Sequence, residues 1–236
     1  EAGRALPGVI VERSSVREYP AGPSLAHLLG FTGPIPQESL SDYVERDYRI
    51  YDIVGRDGLE ASYESALRGD KGRRTVMVDV MGQELAEVRV DQPPQPGDNL
   101  HLTLGLSFQR AAEEALAAGL ARIGARAGAV VALDPRDGAV RALVTLPNYD
   151  NNLFSTGASP DEFVSLLSDP DRPLIHRALA GQPPGSTFKI VTASAALQEQ
   201  VIGKEDRIHD PGVIRIPNQY NPEITYDFVC WLRSGH

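Results

Sequence analysis

Residues 182–189 contain the two residue types best suited to nucleophilic chemistry in this chain, a serine at position 186 and a lysine at position 189. Two prolines and a glycine directly before the serine exclude a helix there, whereas the alanine-rich run after it favours one. The pattern therefore predicts that Ser186 lies at or just inside a helix N-terminus. Residues three apart share one face of a helix, so the Lys189 amine is expected to approach the Ser186 hydroxyl.

This arrangement is a way to activate an ordinary serine. A lysine accepts a proton only if burial or a nearby cation lowers its pKa, and the free N–H groups of a helix N-terminus favour an anion. The bare Ser-x-x-Lys pattern is weak by itself, because a capping serine followed by a solvated lysine gives the same four residues. A phosphate-binding loop is excluded, since that motif places lysine directly before serine or threonine, whereas Gly185 precedes Ser186 here.

Length and composition limit the classes of function. The chain has 236 residues, of which 42% are hydrophobic, enough for one sizeable core or two modest ones. A net charge of −9 argues against nucleic acid or anionic lipid as the main partner. The single cysteine, Cys230, excludes an internal disulfide, and no apolar run reaches the length of a membrane span. No cofactor or metal is predicted, because His27 lacks a partner at metal-binding spacing and is expected to be structural.

The first part of the chain predicts short elements. They are a strand over residues 8–12, helices over residues 24–29, 39–44 and 61–68, and a hairpin of residues 75–81 and 84–90. Glu60, Glu64 and Arg68 are four residues apart and are predicted to form an ion-paired helix face. The proline-rich residues 91–98 are expected to interrupt all regular structure and to act as a stiff inter-domain linker.

The second part of the chain predicts longer elements. They are a strand over residues 99–104, a long helix from Ser107, a hairpin of residues 128–133 and 139–144, and a short helix over residues 159–167. The apolar stripe predicted on the long helix consists of Phe108, Ala112, Ala115, Leu116, Leu120 and Ile123. The first hairpin strand is apolar on both faces, as in a covered sheet. Asp134 and Asp137 are assigned turn roles, and the serine helix is expected to end at Gly203, before loop-rich chain.

Three groups of residues resemble motifs of one family. They are Arg-x-Tyr-Pro with Ala-His-x-x-Gly within residues 17–30, Gly-Arg-x-Gly-Leu-Glu and its continuation over residues 55–72, and Arg-Pro-Leu-Ile-His-Arg-Ala-Leu with Pro-Pro-Gly-Ser-Thr-Phe-Lys within residues 172–189. The chain thereby resembles the class B penicillin-binding proteins, and the first group resembles their cell-elongation branch. It departs from the family at Gly105, His176 and Gln182, where aspartate, asparagine and an aromatic residue are usual.

The resemblance implies an α+β fold in two parts. Residues 1–92 would form the non-penicillin-binding pedestal, a dimerisation-type module, and residues 93–98 the linker. Residues 99–236 would form the first part of a penicillin-binding transpeptidase domain, which is similar to serine β-lactamases, with an incomplete sheet. The first and last residues resemble the interior of a longer protein, so we expect a truncated piece.

The resemblance also implies a reaction, the cross-linking of peptidoglycan stem peptides by serine acyl transfer. Ser186 would be the nucleophile and a backbone oxyanion donor, and Lys189 the general base. Stem peptides and β-lactams would be the ligands, without cofactor, metal or nucleic acid. The second and third active-site motifs of the family, Ser-x-Asn and Lys-Thr/Ser-Gly, are missing from this sequence.

Partners and location follow from the same resemblance. A membrane glycosyltransferase or another elongation-complex protein would bind the pedestal, at the extracytoplasmic side of the cell membrane, and the anchor helix would lie outside this chain. Two alternatives remain open at this stage. One is a β-lactam-sensing or β-lactamase-type serine acyl enzyme, and the other is a non-catalytic scaffold or docking fragment.

Overall fold

The computed structural model describes residues 15–80, 84–157 and 159–236, and it divides the chain into two compact units, Glu1–Gly181 and Gln182–His236. The strand predicted over residues 8–12 lies outside the described residues. The α-helices are α1 (Ala26–Leu29), α2 (Leu40–Glu45), α3 (Gly58–Ser62), α4 (Glu64–Leu67), α5 (Leu106–Ile123), α6 (Asn152–Ser155), α7 (Pro160–Ser168) and α8 (Lys189–Gln198). The strands are β1 (Thr32–Pro34), β2 (Ile53–Gly55), β3 (Arg73–Val78), β4 (Glu84–Gln92), β5 (Gly128–Leu133), β6 (Val140–Leu146), β7 (Val213–Pro217) and β8 (Thr225–Val229). None of the helices in these described ranges combines the length and the apolar character needed to span a bilayer.

The N-terminal elements confirm the short helices predicted there. A 3-10 turn over Gly22–Leu25 leads into α1, which ends at Gly30 with a φ of 74°. A β-carbon on Gly30 would overlap the carbonyl oxygen of Asp57, so the end of α1 packs directly against the start of α3. Glycine is required here by both the positive φ and the close backbone approach.

The continuous helix predicted over residues 61–68 is instead two short helices, α3 and α4, which are separated at Tyr63. Gly69 follows with a φ of 66°, the left-handed exit that the sequence indicated. The break at Tyr63, whose φ of −115° and ψ of 19° are not helical, changes which side chains can meet along the predicted face.

The carboxylates of this region therefore have other partners than predicted. Glu60 is buried and pairs with Arg17 at 2.8 Å. Glu64 accepts hydrogen bonds from the backbone N–H of Gly55 at 2.6 Å and from the hydroxyl of Tyr48 at 3.2 Å. The predicted i, i+4 ion-paired face is therefore wrong at Glu60, which pairs with Arg17, whereas Glu64 still favours the positive charge of Arg68.

Strands β3 and β4 form the predicted antiparallel hairpin, whose turn lies partly outside the described residues. Strand β4 continues to Gln92, so the expectation that regular structure ends at Asp91 is wrong. The proline-rich segment is also attached to the elements before it. Gln95 forms a two-way backbone bridge with Asp70, and the Asp98 N–H donates to Ala66 at 2.8 Å. The boundary predicted at residue 92 stays a prediction.

The strand predicted over residues 99–104 is absent from the structure. Thr103 contacts β6 through its Oγ1, which donates to the Val140 carbonyl at 2.9 Å, and through its carbonyl, which accepts from the Arg141 guanidinium at 3.3 Å. The N–H of Gly105, the next residue but one, donates to the Arg141 carbonyl at 3.4 Å. Those bonds do not make a ladder. Helix α5 follows at Leu106, one residue before the predicted start.

The hairpin of β5 and β6 is confirmed, and Asp134 shapes its turn. Its carboxylate accepts hydrogen bonds from the Arg136 backbone at 3.1 Å and from the Arg136 guanidinium, and it pairs with Arg141 at 3.0 Å. These bonds lower the pKa of Asp134, the Arg136 side chain contributing most. The assigned turn role is therefore confirmed.

The covering of this hairpin differs from the prediction. Val131 and Leu133 of β5 are 47% and 57% exposed, whereas Ala142 and Val144 of β6 are 0% and 2% exposed. The apolar run in β5 indicated burial on both faces, which is wrong for the described chain. Helix α5 packs mainly on β6, so it buries less of β5.

Gln109 of α5 joins three parts of the first unit, and it is fully buried. Its amide group donates to the carbonyls of Leu143 and Ser24, each at 2.9 Å, and its side-chain oxygen accepts from the Leu143 N–H at 2.8 Å. The side chain thus satisfies β6 where no strand pairs with it and also holds the 3-10 turn before α1. The predicted apolar stripe did not include this residue.

The second unit contains α8 and a hairpin of β7 and β8. The loop-rich chain predicted after residue 210 is therefore wrong for these two strands. Pro217 lies at the end of β7 and Pro222 lies in the connection, so neither proline interrupts the ladder. Helix α8 ends at Gln198, earlier than the expected end at Gly203.

We expect the substitution Gln109→Ala to lower the free energy of unfolding by about 3 kcal/mol, because it leaves buried backbone groups of Leu143 and Ser24 without partners. Urea denaturation followed by circular dichroism measures this. Arg110→Ala, on the exposed side of the same helix, is the matched control and should stay within about 0.5 kcal/mol of the unsubstituted chain. Equal effects of the two substitutions would contradict the role of Gln109.

A pair of glycine substitutions tests the close packing of α1 on α3. Gly30→Ala should destabilise the chain by about 3 kcal/mol or more, because the new methyl group meets backbone at a positive φ. Gly119→Ala in α5 meets nothing within 4 Å and should stabilise by up to about 1 kcal/mol through helix propensity. Thermal unfolding measures the stability of both variants. A Gly30→Ala variant as stable as the unsubstituted chain would contradict the close packing of α1 on α3.

Candidate active site

Ser186 lies in a 3-10 turn, Gly185–Phe188, which continues directly into α8. Gly185 has a φ of 56°, a conformation that glycine adopts without strain. The hydroxyl of Thr187 donates to the Pro184 carbonyl at 2.6 Å and closes the turn. The predicted start of helical chain at Ser186 is confirmed, with 3-10 geometry in the first turn.

Lys189 is the first residue of α8, and its backbone N–H donates to the Ser186 carbonyl. Residues three apart eclipse one another in a 3-10 turn, so the serine and lysine side chains are expected to leave the turn on the same side. Both residues are exposed, as are all residues from position 182 to position 191.

Helix α8 carries apolar side chains that are open to solvent in this structure. Ile190 and Val191 are 75% and 55% exposed, and Phe188 in the preceding turn is 54% exposed. Helices with apolar residues on several sides are ordinarily buried in a larger core. The composition of α8 is thus typical of a helix that other protein segments cover.

The residues of the upstream motif lie in the first unit. The Ala178 N–H donates to Thr145 Oγ1 of β6 at 3.2 Å, and Pro173 is buried. Arg177 holds its own loop by donating to the Arg172 carbonyl at 3.0 Å. This segment is therefore fixed to β6 and is not a free connection.

His27 confirms the structural role predicted for it. The side chain is only 6% exposed, and Nε2 lies 2.7 Å from the Pro173 carbonyl oxygen. Because that oxygen can only accept, Nε2 carries the hydrogen. The ring also meets Tyr149 edge-on, with the centroids 5.1 Å apart.

Three side chains in the second unit could hold a metal ion. The ligand atoms of Asp210, Cys230 and His236 all lie within 4.8 Å of one another. Hydrogen bonds from Cys230, the largest cause, and from the Gly212 N–H lower the pKa of Asp210. Sulfur, nitrogen and oxygen donors suit zinc, although structural zinc sites usually have four ligands. The sequence prediction named no metal ligands, and the wide separation of Asp210 from the other two gives no short motif that could have indicated them.

Comparisons with known proteins agree with the motifs. A model of the penicillin-binding protein dimerisation domain matches residues 1–102, and a model of the penicillin-binding protein transpeptidase domain matches residues 128–228. The peptidoglycan D,D-transpeptidase MrdA of Escherichia coli K12 is 38% identical over 236 residues, with 98% of this chain and 35% of that protein covered. MrdA of Acinetobacter baumannii is 34% identical over 232 residues, with 98% of this chain and 33% of that protein covered. The chain spans about a third of the length of these relatives.

Solved structures show the same fold. Pseudomonas aeruginosa PBP2 in complex with WCK 5153 has a TM-score of 0.72 and 35% identity, with 94% of this chain and 42% of that chain covered. Helicobacter pylori PBP2 in complex with MreC has a TM-score of 0.72 and 28% identity, and the match covers 94% of this chain and 38% of that chain. Another similar chain comes from a peptidoglycan synthase complex, with a TM-score of 0.73 and 34% identity. That match covers 92% of this chain and 38% of the other.

The resemblance found in the motifs is thus confirmed by both domain models in their expected order. The expected α+β fold is also confirmed, with small sheets that are not closed. This chain belongs to the penicillin-binding protein family and comprises a dimerisation module followed by part of a transpeptidase domain.

Proposed function

We propose that this chain is part of a peptidoglycan D,D-transpeptidase in which Ser186 is the nucleophile and Lys189 the general base. The position of Ser186 in the tight turn before α8, inside the segment that matches the transpeptidase model, is the observation that carries this proposal. The turn also leaves N–H groups at the start of the helix without intrahelical acceptors, as an oxyanion site requires.

The proposed acylation step is a nucleophilic substitution at a carbonyl carbon. The Ser186 oxygen attacks the penultimate D-alanine carbonyl of a stem peptide, and Lys189 Nζ accepts the hydroxyl proton. The Ser186 backbone N–H donates to the oxyanion of the tetrahedral intermediate. The C–N bond then breaks, and D-alanine leaves with the proton returned to its amine nitrogen.

The second step regenerates the serine. An amine of a neighbouring stem peptide attacks the acyl-enzyme ester, a new peptide bond forms, and the Ser186 oxygen leaves and takes up a proton. A β-lactam resembles the D-Ala-D-Ala terminus and acylates the same oxygen through opening of its ring. No cofactor is needed for either step, since both transfer an acyl group without redox chemistry.

The exposure of the two proposed catalytic residues and the lack of two family motifs indicate that this site is incomplete. Ser186 and Lys189 are open to solvent here, and Ser-x-Asn and Lys-Thr/Ser-Gly do not occur in this sequence after α8. We infer that the remaining motifs, including the second oxyanion donor, come from chain in addition to these 236 residues. The exposed apolar residues of α8 support this inference.

We further infer that the parent protein works in a cell-wall complex at the extracytoplasmic side of the membrane, where an anchor helix outside this chain would hold it. The H. pylori PBP2 complex with MreC and the structure from a peptidoglycan synthase complex support such partners. A membrane glycosyltransferase that binds the N-terminal module is the partner we propose.

The parent protein should gain one penicillin adduct, which peptide mapping should place on Ser186. Ser186→Ala should abolish the adduct, and Lys189→Ala should slow acylation by about 10²-fold or more, because general-base catalysis contributes at least that factor. Intact-mass measurement over time gives both results. Ser194→Ala, further along the same helix, is the control and should be acylated like the wild type. A parent protein that gains no penicillin adduct at Ser186 would contradict the transpeptidase proposal.

The 236-residue chain alone should show no adduct under conditions that acylate the parent, because it lacks the second oxyanion donor. The same intact-mass experiment tests this expectation. An adduct on Ser186 of the isolated chain would show that the turn and the lysine suffice, and it would overturn our inference about the missing motifs.

A further inference from the structure

Two segments of the first unit that are distant in sequence meet along a buried contact, which we call the seam. It joins residues 19–31 to residues 145–178. The backbone of Tyr19 and the side chain of Asn152 exchange two hydrogen bonds, at 2.9 and 3.2 Å. Asn151 is fully buried and donates to the Gly30 carbonyl at 2.8 Å.

A pair of histidines lies in this seam, one from each segment. The ring centroids of His27 and His176 are 5.5 Å apart. His176 Nδ1 lies 3.4 Å from Thr145 Oγ1, whereas its Nε2 is buried and has no hydrogen-bond partner in the part of the chain that the structure describes. Each segment therefore contributes one titratable ring to the same enclosed space.

The hydrogen-bond partners determine what a second proton on each ring would meet. His27 already carries its hydrogen on Nε2, toward Pro173, so an added proton goes to Nδ1. A doubly protonated His176 would hold its Nε2–H in buried surroundings without an acceptor. Protonation of both rings would also place two positive charges at a centroid distance of 5.5 Å.

Other ionisable groups face the pair from the elements packed around it. Arg177 opposes a positive charge on His27, and Asp57, at the start of α3, favours a positive charge on either ring. Tyr149 stays neutral in the relevant range, because burial raises its pKa. Burial is the largest influence on both histidines and lowers the pKa of each from the ordinary value of 6.5, despite Asp57.

We propose that His27 and His176 form a pH-sensitive latch, which holds the two segments of the seam together while both rings are neutral and loosens them when the rings are protonated. The latch depends only on contacts within the first unit, so it goes beyond the transpeptidase proposal and would hold whether or not Ser186 is acylated.

The direction of the pH effect follows from proton linkage. A histidine whose pKa is lower in the closed seam than in the open one binds fewer protons when the seam is closed. The stabilisation is complete above the ordinary histidine pKa and is lost as the pH falls through that value toward the lowered one. Each such ring changes the opening equilibrium by up to about tenfold per pH unit, and two rings by up to about a hundredfold.

Hydrogen exchange on the 236-residue chain tests the latch. Exchange rates corrected for the intrinsic pH effect should show that protection of the Tyr19 amide, which donates to Asn152 Oδ1 across the seam, falls at least tenfold between pH 7.5 and pH 5.5. Amides in the β5–β6 ladder are the internal reference and should change much less. Protection at the seam that is independent of pH, or that falls only in parallel with the ladder, would overturn the proposal.

Substitutions separate the contribution of the pair from other titrating groups. His176→Asn removes one ring and should reduce the pH dependence to the share of His27 alone. His101→Asn removes an exposed histidine of the same unit and should leave the wild-type dependence intact. A His176→Asn variant with the full wild-type dependence would contradict the latch. If that variant fails to fold, NMR titration of the wild-type histidines decides, because pKa values at or above 6.5 for both rings would also exclude it.

Discussion

The need to satisfy buried backbone groups organises the first unit, and Gln109 meets that need at Leu143 of β6. A strand such as β6 that lacks a second neighbouring strand leaves N–H and C=O groups open on one side. The side chain of Gln109 supplies one donor and one acceptor to Leu143, as a neighbouring strand would, and its remaining donor reaches Ser24. Helix α5, β6 and the N-terminal segment thus share one buried polar contact.

The same constraint explains the seam around His27. The N-terminal segment is held to the later part of the chain through directional bonds from Asn151, Asn152 and the histidine itself, and through the stacking of Phe31 on Phe154 at 4.1 Å. Such bonds fix the relative position of the two segments closely. They also make the contact sensitive to protonation, because a polar group that is buried with one partner cannot easily accept a charge.

In the proposed active site, neighbouring residues determine the position of Ser186, whereas distant segments would determine the environment of Lys189. Gly185 and the prolines before it set the tight turn, so the position of Ser186 at the helix start is determined within a few residues. The environment that would activate Lys189 is not local, since burial and neighbouring charges come from segments far apart in sequence. The chain spans about a third of the length of the MrdA proteins that it matches.

The sequence by itself determined features that depend on neighbouring residues, namely the helix start at Ser186, the turn at Asp134, the hairpins of β3–β4 and β5–β6, and the motifs that identify the family. Backbone sterics and turn chemistry act over three to five residues and can be read directly. The tertiary structure alone decided the partners of Glu60, the burial of Gln109 and the closeness of His27 to His176. Those outcomes depend on which distant segment comes to face each side chain, and an apolar or charged pattern along one element does not specify its neighbour.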